Sequence, residues 1–177
     1  MTALNARADY PSSLPDGDIA DFLAGMSRAA SAVCVVTTDG PAGKSGITIN
    51  SMTSVSAEPP SLLICIRKKS ATAAAILQNR SFCVNMLRDD QSHVSDVFSG
   101  RLLLGSDRFV CAEWGAGLTG SPTLKGAATV FDCELAEAHC FGTHHLLIGR
   151  AVDVKSNSQT TTLIYHDRQY CKVQLPA

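Results

Sequence analysis

The feature that most restricts the fold of this chain is a succession of short apolar, β-branched runs that follow one another without the regular helices of a β-α-β rhythm. Ala32 to Thr38 (AVCVVTT) is the first. It ends at Asp39-Gly40-Pro41, a turn signal, and Gly46 to Asn50 returns beside it, so the pair reads as a hairpin. Ser61 to Ile66, Ser81 to Leu87, Thr129 to Ala136, Leu146 to Val154 and, more weakly, Thr161 to Tyr165 are further strands. Helical spacing is confined to a first element capped by Asp18, whose Ile19, Phe22, Leu23, Met26 and Ala30 should face the core, and to short helices over Ser70 to Gln78 and Gln91 to Phe98. So many short strands would expose long edges unless they closed on themselves. The expected class is therefore mainly β, a closed or split antiparallel barrel. The glycine-rich stretch Gly100 to Gly126 reads as an irregular loop long enough to cover something.

With 177 residues, 45% of them hydrophobic, the chain can bury a core without staples and fits one domain. Residues 1–17 are polar, with Pro11 and Pro15, and read as a flexible arm that could also wrap a second subunit; residues 18–177 form the domain. Lys and Arg number 15 against 16 Asp and Glu, so no overall field draws the chain to nucleic acid or an anionic membrane. No apolar run approaches the ~18–20 residues that span a bilayer, and the N-terminus has no signal-peptide core. A soluble, cytoplasmic protein is expected. Its seven cysteines, Cys34, Cys65, Cys83, Cys111, Cys133, Cys140 and Cys171, are scattered without a C-x-x-C pair and mostly lie among apolar neighbours. They read as buried, reduced thiols.

Chemistry concentrates between Gly46 and Ser70, GITINSMTSVSAEPPSLLICIRKKS. If Ile47 and Ile49 face the core, Thr48 and Asn50 face away from it, and Ser51, Thr53, Ser54 and Ser56 continue a polar surface. The plain alternative is a strand edge with solvated hydroxyls. Ser70 shifts the balance, because it stands before ATAAAILQ as an N-cap, with Lys68 and Lys69 beside it, and a helix N-terminus is a ready phosphate site. A nucleotide-like cofactor is the ligand class this suggests. In GTHHLLIGR, strand alternation sends His144 and His145 to opposite faces, so only one can look into a given site. A zinc site of His139, His144 and His145 is poor for the same reason and has no cysteine at ligand spacing. The aromatic rings of YHDRQY, Tyr165 to Tyr170, either stack on an adenine or close the barrel bottom. No Rossmann, Walker or nucleophile-elbow signature is present.

Taken in order, ASAVCVVTT, GITINSMTSVSAEPP, FCVNML, DVFSG, W-x-x-G-x-x-G-S-P-x-L-x-G-A, GTHHLLIGR and YHDRQY resemble the short flavin reductases that serve two-component flavin monooxygenases. The likeness runs from about Phe22 to Val173. It implies a Greek-key split barrel of the FMN-binding type and a homodimer that uses NADH or NADPH to reduce FMN or FAD. Reduced flavin would then diffuse to a partner monooxygenase. It further implies that Thr48, Asn50, Ser51 and Met52, continued by Ser54 and Ser56, contact the flavin, that Cys65 and Ile66 flank its ring, and that Lys69 and Ser70 lie at its phosphate. His144 would face the nicotinamide as the catalytic residue, and Tyr170 would add a cofactor contact. Two departures stand out. The family's usual Gly-Asp-His is Gly142-Thr143-His144, which removes a carboxylate that would fix the imidazole tautomer. Arg168 replaces the usual Gly of the C-terminal Tyr-…-Gly-…-Tyr pattern. The competing readings are a non-catalytic flavin carrier or sensor of the same shape, and a split-barrel oxidase of a phosphorylated vitamin, which would need a further basic pocket.

Overall fold

The computed structural model describes residues 16–102 and 107–173; positions 1–15 of the expected arm lie outside them. In chain order the elements are α1 (Asp16–Ser27), β1 (Ser31–Ala32), β2 (Cys34–Thr38), β3 (Ser45–Ile49), β4 (Thr53–Ala57), β5 (Pro60–Arg67), α2 (Ala71–Asn79), β6 (Ser81–Met86) and α3 (Ser92–Ser99). A 3-10 turn (Arg108–Cys111) leads to β7 (Trp114–Ala116), β8 (Pro122–Leu124), β9 (Thr129–Phe141), β10 (His144–Ser156), β11 (Leu163–His166) and β12 (Gln169–Lys172). The main antiparallel sheet runs β3-β2-β6-β9-β10-β5-β4, beside a small sheet β1-β11-β12 and the pair β7-β8.

This main sheet curls into the split antiparallel barrel. Ile49 of β3 and Leu62, Ile64 and Ile66 of β5 come from opposite sides of the strand order, yet they share one core with Val36, Phe82, Cys133, Leu135 and Leu147. Ala73 and Ile76 of α2 pack into the same core. Ser51 fastens the seam: its hydroxyl donates to the Cys65 carbonyl at 2.9 Å and accepts from the Cys65 N–H at 3.2 Å. A side chain thus does the work of a strand ladder where the sheet has no room for one. On the outer face Val33 and Val35 meet Val94, Val97 and Phe98 of the α3 region, with Leu124 and Leu163, in a second core. Because both faces of β2 are covered, all five of its residues, CVVTT, are buried, and the Thr37 and Thr38 hydroxyls are satisfied by the Pro122 and Ser81 carbonyls.

The stretch from Gly100 to Gly126 is more ordered than a loop, since it carries β7 and β8 and is strapped down by buried polar groups. Asn85 donates to the Val35 carbonyl at 3.0 Å and to Thr37 Oγ1 at 3.1 Å, and its Oδ1 accepts from the Leu124 N–H at 2.7 Å. Asp132, only 1% exposed, accepts from the Thr119 N–H at 2.9 Å and from Thr119 Oγ1 at 2.6 Å. A Cβ at Gly117 would lie 2.6 Å from Asp132 Cγ, so the strap needs a bare backbone there. Packing thus requires Gly117, whereas Gly120 and Gly126 sit at φ 86° and 72°.

Three expectations are corrected. Helix α1 begins at Asp16, which puts Asp18 inside it instead of at its cap. The face built from Ile19, Phe22, Leu23 and Met26 is 43%, 61%, 53% and 55% exposed and does not lie on the core. The barrel is already sealed by the sheet and α2, and α1 is tethered at its end through the Asp167 N–H to Ser27 carbonyl bond of 2.7 Å. Strand β4 was not foreseen, because its hydroxyl-rich residues are exposed throughout and carry no apolar alternation.

Arg168 has its own conformational consequence. The β11–β12 turn puts Asp167 at φ 49° and Arg168 at φ 62°, left-handed positions that a side chain occupies at a cost. Replacing Arg168 by Gly should raise stability by about 0.5–1 kcal/mol in chemical denaturation, the relief of strain being partly offset by a looser unfolded chain.

The buried thiols predict an alkaline limit. Burial pushes Cys34 up from an ordinary 9.0 to about 12, and burial helped by the neighbouring Asp132 carboxylate does the same to Cys133. The unfolded chain therefore loses these protons before the folded one. Stability from this source is intact below pH 9 and falls as pH rises from 9 towards 12. Urea midpoints across that range should decline, and less steeply in Cys34→Ala and Cys133→Ala.

Candidate functional site

The hydroxyl-rich bend leaves β3 on its outer side. Thr48 Oγ1 donates to the Ser95 carbonyl of α3 at 2.8 Å, and Asn50 is exposed. Both line a small cavity of about 170 Å³ with Ser95, Arg101, Tyr165 and Tyr170. Tyr170 donates to Asp96 Oδ1 at 2.7 Å and its oxygen lies 2.9 Å from Ser95 Oγ, while Arg101 donates to the Tyr165 hydroxyl at 3.1 Å and lies over both rings. The YHDRQY rings thus build a polar wall.

Ser70 opens onto a different cavity, of about 480 Å³, lined also by Lys44, Ser45, Gly46, Thr72, Phe98 and Arg108. It stands at the N-cap of α2 with extended backbone, and its side chain makes no capping hydrogen bond. The hydroxyl and the first N–H groups of the helix remain available to a ligand. Lys44 Nζ sits 4.5 Å above the Phe109 ring, and Arg108 donates weakly to the Phe98 carbonyl at 3.4 Å. A Cβ at Gly46 would reach within 2.6 Å of the Phe98 ring, so the glycine lets β3 approach α3 beside this cavity. Asp107 also lines the cavity, its Oδ1 accepting the Phe109 N–H at 2.9 Å; with two cations and the helix N-terminus against that one carboxylate, the lining fits a phosphoryl anion.

Lys69 does not join Ser70. The chain reverses at Arg67–Ser70, closed by the Ser70 N–H to Arg67 carbonyl bond of 2.9 Å, and Lys69 lines a groove of about 590 Å³ with Arg67, Lys68, Gly142, Thr143 and His144. The Lys68 N–H donates to the Thr143 carbonyl at 3.0 Å, fixing the end of β5 to the β9–β10 turn. His144 faces this groove, whereas His145 Nδ1 contacts Cys140 Sγ at 3.2 Å. Thr143 Oγ1 lies 2.9 Å from His144 Nδ1. The hydroxyl takes the place expected of the absent carboxylate and holds the imidazole through Nδ1.

The remaining residues separate further. Met52, Ser54 and Ser56 line a cleft of about 240 Å³ with Leu62, Phe131 and Val154. Ser56 Oγ is engaged by its own turn, donating to the Glu58 carbonyl at 2.9 Å and accepting the Glu58 N–H at 3.0 Å. Ser51 is occupied with the seam at Cys65, and burial raises the Cys65 thiol above its ordinary range. Ile66 is 2% exposed and its side chain belongs to the barrel core. Strand alternation gives Cys65 and Ile66 opposite faces. Within one chain Thr48, Asn50 and Tyr170, then Ser70, then Lys69 and His144, then Met52, Ser54 and Ser56 line four separate depressions, and Ser51, Cys65 and Ile66 line none of the four. Lys44, Arg101 and Arg108 were not picked out from the sequence, and no local pattern marks them. Among the described residues no group of three or more His, Cys, Asp or Glu side chains is placed to hold a metal, and no helix is long and apolar enough to cross a membrane.

Comparison with known proteins bears on this geometry. The chain is 37% identical over 170 residues, 96% of its own length and 97% of the relative's, to a protein named FMN reductase (NADH) RutF from Serratia proteamaculans (strain 568). The structure of BorF, the flavin reductase component of a bacterial two-component tryptophan halogenase, superposes with a TM-score of 0.81 at 31% identity, covering 90% of this chain and 100% of that one. The styrene monooxygenase flavin reductase from Pseudomonas putida S12 gives 0.77 at 26% identity over 88% and 99% of the two chains. The flavin reductase like domain matches residues 26–174. With that span covering the barrel, the strap and all four depressions, the chain belongs to the flavin reductase like family.

Proposed function

We propose that this protein is an oxidoreductase that uses NADH to reduce flavin, FMN in the first instance, and releases the reduced flavin to a partner monooxygenase. The observation that carries the proposal is the Ser70 cavity: an idle hydroxyl at a helix N-terminus, with Lys44 and Arg108 on its rim, in a member of a flavin reductase family. The relatives' names support NADH and FMN, and the two reductase structures support a monooxygenase or halogenase as the consumer of flavin. When bound, flavin and nicotinamide supply the hydride chemistry themselves. The protein's part is to hold the phosphate at Ser70 and the α2 N-terminus, to present the bend at Thr48 and Asn50, and to orient the donor with His144. Stacked rings at a separation of about 3–3.5 Å need positioning and dryness more than ionised side chains. Because the expected contacts lie in separate depressions, the complete site is proposed to form between two copies of the chain. The apolar face of α1 supports such a homodimer.

Mixing the purified protein with excess NADH, FMN and air tests the function. Continuous NADH consumption over many turnovers per protein is expected. A single stoichiometric bleach would make it a carrier. His144→Ala should slow turnover about tenfold while FMN affinity, read by fluorescence quenching, stays within twofold, as befits an orienting contact worth about one hydrogen bond.

A further inference from the structure

Six of the seven cysteines are buried or half-buried, and Cys140 is exposed. Burial pushes Cys34 and Cys133 up to about 12 and raises Cys65, Cys83 and Cys111 as well. The half-buried Cys171 donates to the Gln169 carbonyl at 3.8 Å. Cys140 differs in its partner too, because its Sγ lies 3.2 Å from an imidazole nitrogen, His145 Nδ1. The backbone sets this pairing: Cys140 of β9 and His145 of β10 stand directly opposite in the antiparallel register, beside the hairpin turn. Alternation sends His139 and His144 to the other face, where Glu137 and Thr143 engage them, so neither partner competes for His145. On its own face His145 is half-buried beside its β5 partner Ile66, whose side chain belongs to the barrel core. The base is sheltered and the thiol meets solvent. Neither residue lines any of the four depressions of the candidate site.

The geometry points to Cys140 and His145 as a nucleophile and base that react with hydrogen peroxide, a modification site separate from the flavin and nicotinamide chemistry. A thiol in contact with a base and open to solvent is the arrangement that nucleophilic sulfur needs. The thiol passes its proton to His145 Nδ1, and the sulfur attacks one peroxide oxygen. The S–O bond forms as the O–O bond breaks, and the departing hydroxide takes the proton from Nδ1 to leave as water. Sulfur gives up two electrons and the peroxide accepts them, so thiol and peroxide become sulfenic acid and water, and the imidazole ends as it began. The proposed activity offers a source of the oxidant, since reduced flavin that meets oxygen before it meets a monooxygenase yields hydrogen peroxide. The thiol chemistry itself does not depend on that activity. An unassisted thiol is only a few per cent thiolate near neutral pH, so full transfer to the base multiplies the reactive form by at most about thirtyfold. The lower intrinsic nucleophilicity of a more readily ionised sulfur trims this to about tenfold.

The test treats the purified full-length protein with added hydrogen peroxide and dimedone, which caps sulfenic acids, in the absence of NADH and flavin, and maps the adducts by peptide mass spectrometry. One adduct is expected, on Cys140. The Cys140 thiol should be consumed about ten times faster in the parent than in His145→Gln. His139→Gln, whose imidazole lies on the other face of the hairpin, should keep the parent's rate within twofold. Alkylation of Cys140 by iodoacetamide, which needs the thiolate but no oxidant, should show the same tenfold difference. An adduct absent from Cys140, adducts spread over the other cysteines at comparable rates, or a His145→Gln rate within twofold of the parent's in either reaction overturns the inference. Turnover with NADH and FMN is measured on the same preparation. An unreactive Cys140 in an active reductase removes the thiol pair alone, and a reactive Cys140 in a protein that consumes no NADH upholds the pair and removes only the reductase reading.

Discussion

Replacing Ser70 by glutamate is expected to weaken FMN binding about a hundredfold. The side chain makes no capping bond, so the fold loses nothing local when it goes. An acidic group at the first turn even suits the helix dipole. The effect would fall on the ligand, since a carboxylate would occupy the cavity where the phosphate is proposed to sit beside Lys44 and Arg108. Two unit charges about 4 Å apart repel by about 4 kcal/mol at an effective dielectric of about 20, and the open mouth of the cavity reduces this to about 2–3 kcal/mol. Riboflavin has no phosphate and supplies the control: its affinity should change by less than threefold. Fluorescence titration of both ligands against parent and variant decides the matter. Equal losses for FMN and riboflavin, or none for either, would remove the phosphate from this cavity.

Phe82→Ala is expected to cost about 3–5 kcal/mol of stability, the largest structural effect in the molecule. Phe82 is fully buried in the barrel core, and its ring lies against the bare backbone of Gly149 on β10. A Cβ at position 149 would collide with the ring and stand 2.9 Å from Cys133 Cβ, so Gly149→Ala alone should cost about 1–3 kcal/mol by overpacking. The two changes are coupled. In the Phe82→Ala background the methyl enters the space the ring has left, and the penalty of Gly149→Ala should fall by more than half. Urea denaturation of the four proteins at one flavin concentration measures this, since bound ligand would otherwise shift the midpoints. Simple additivity would show that the ring and the glycine are not partners.

Much of the fold was legible because strand periodicity and turn residues are local signals. The hairpin of β2 and β3, the short helices and the antiparallel class all follow from runs such as AVCVVTT and breakers such as Asp39-Gly40-Pro41. Strand β4 was not, since its side chains are exposed and nothing in them alternates; it pairs with β5 through backbone groups that any sequence carries. Helix α1 shows the converse failure. Its apolar spacing is real, but spacing cannot say which surface it will meet, and the barrel core was already closed without it.

The site divides along the same line. By itself the sequence determined which chemistry is on hand: a hydroxyl-rich bend, a serine before a strong helix, a histidine turned opposite to its neighbour, and threonine where an aspartate is usual. Only the tertiary structure decided which of these share a space. It closed the barrel through Ser51 and Cys65, sank Ile66 into the core, turned Lys69 away from Ser70 and towards His144, and brought Lys44 and Arg108 to the serine from distant loops. The physical reason is that alternation and capping are set by adjacent residues, whereas a cavity is set by how a curled sheet brings remote segments together, and no pattern within one segment records that.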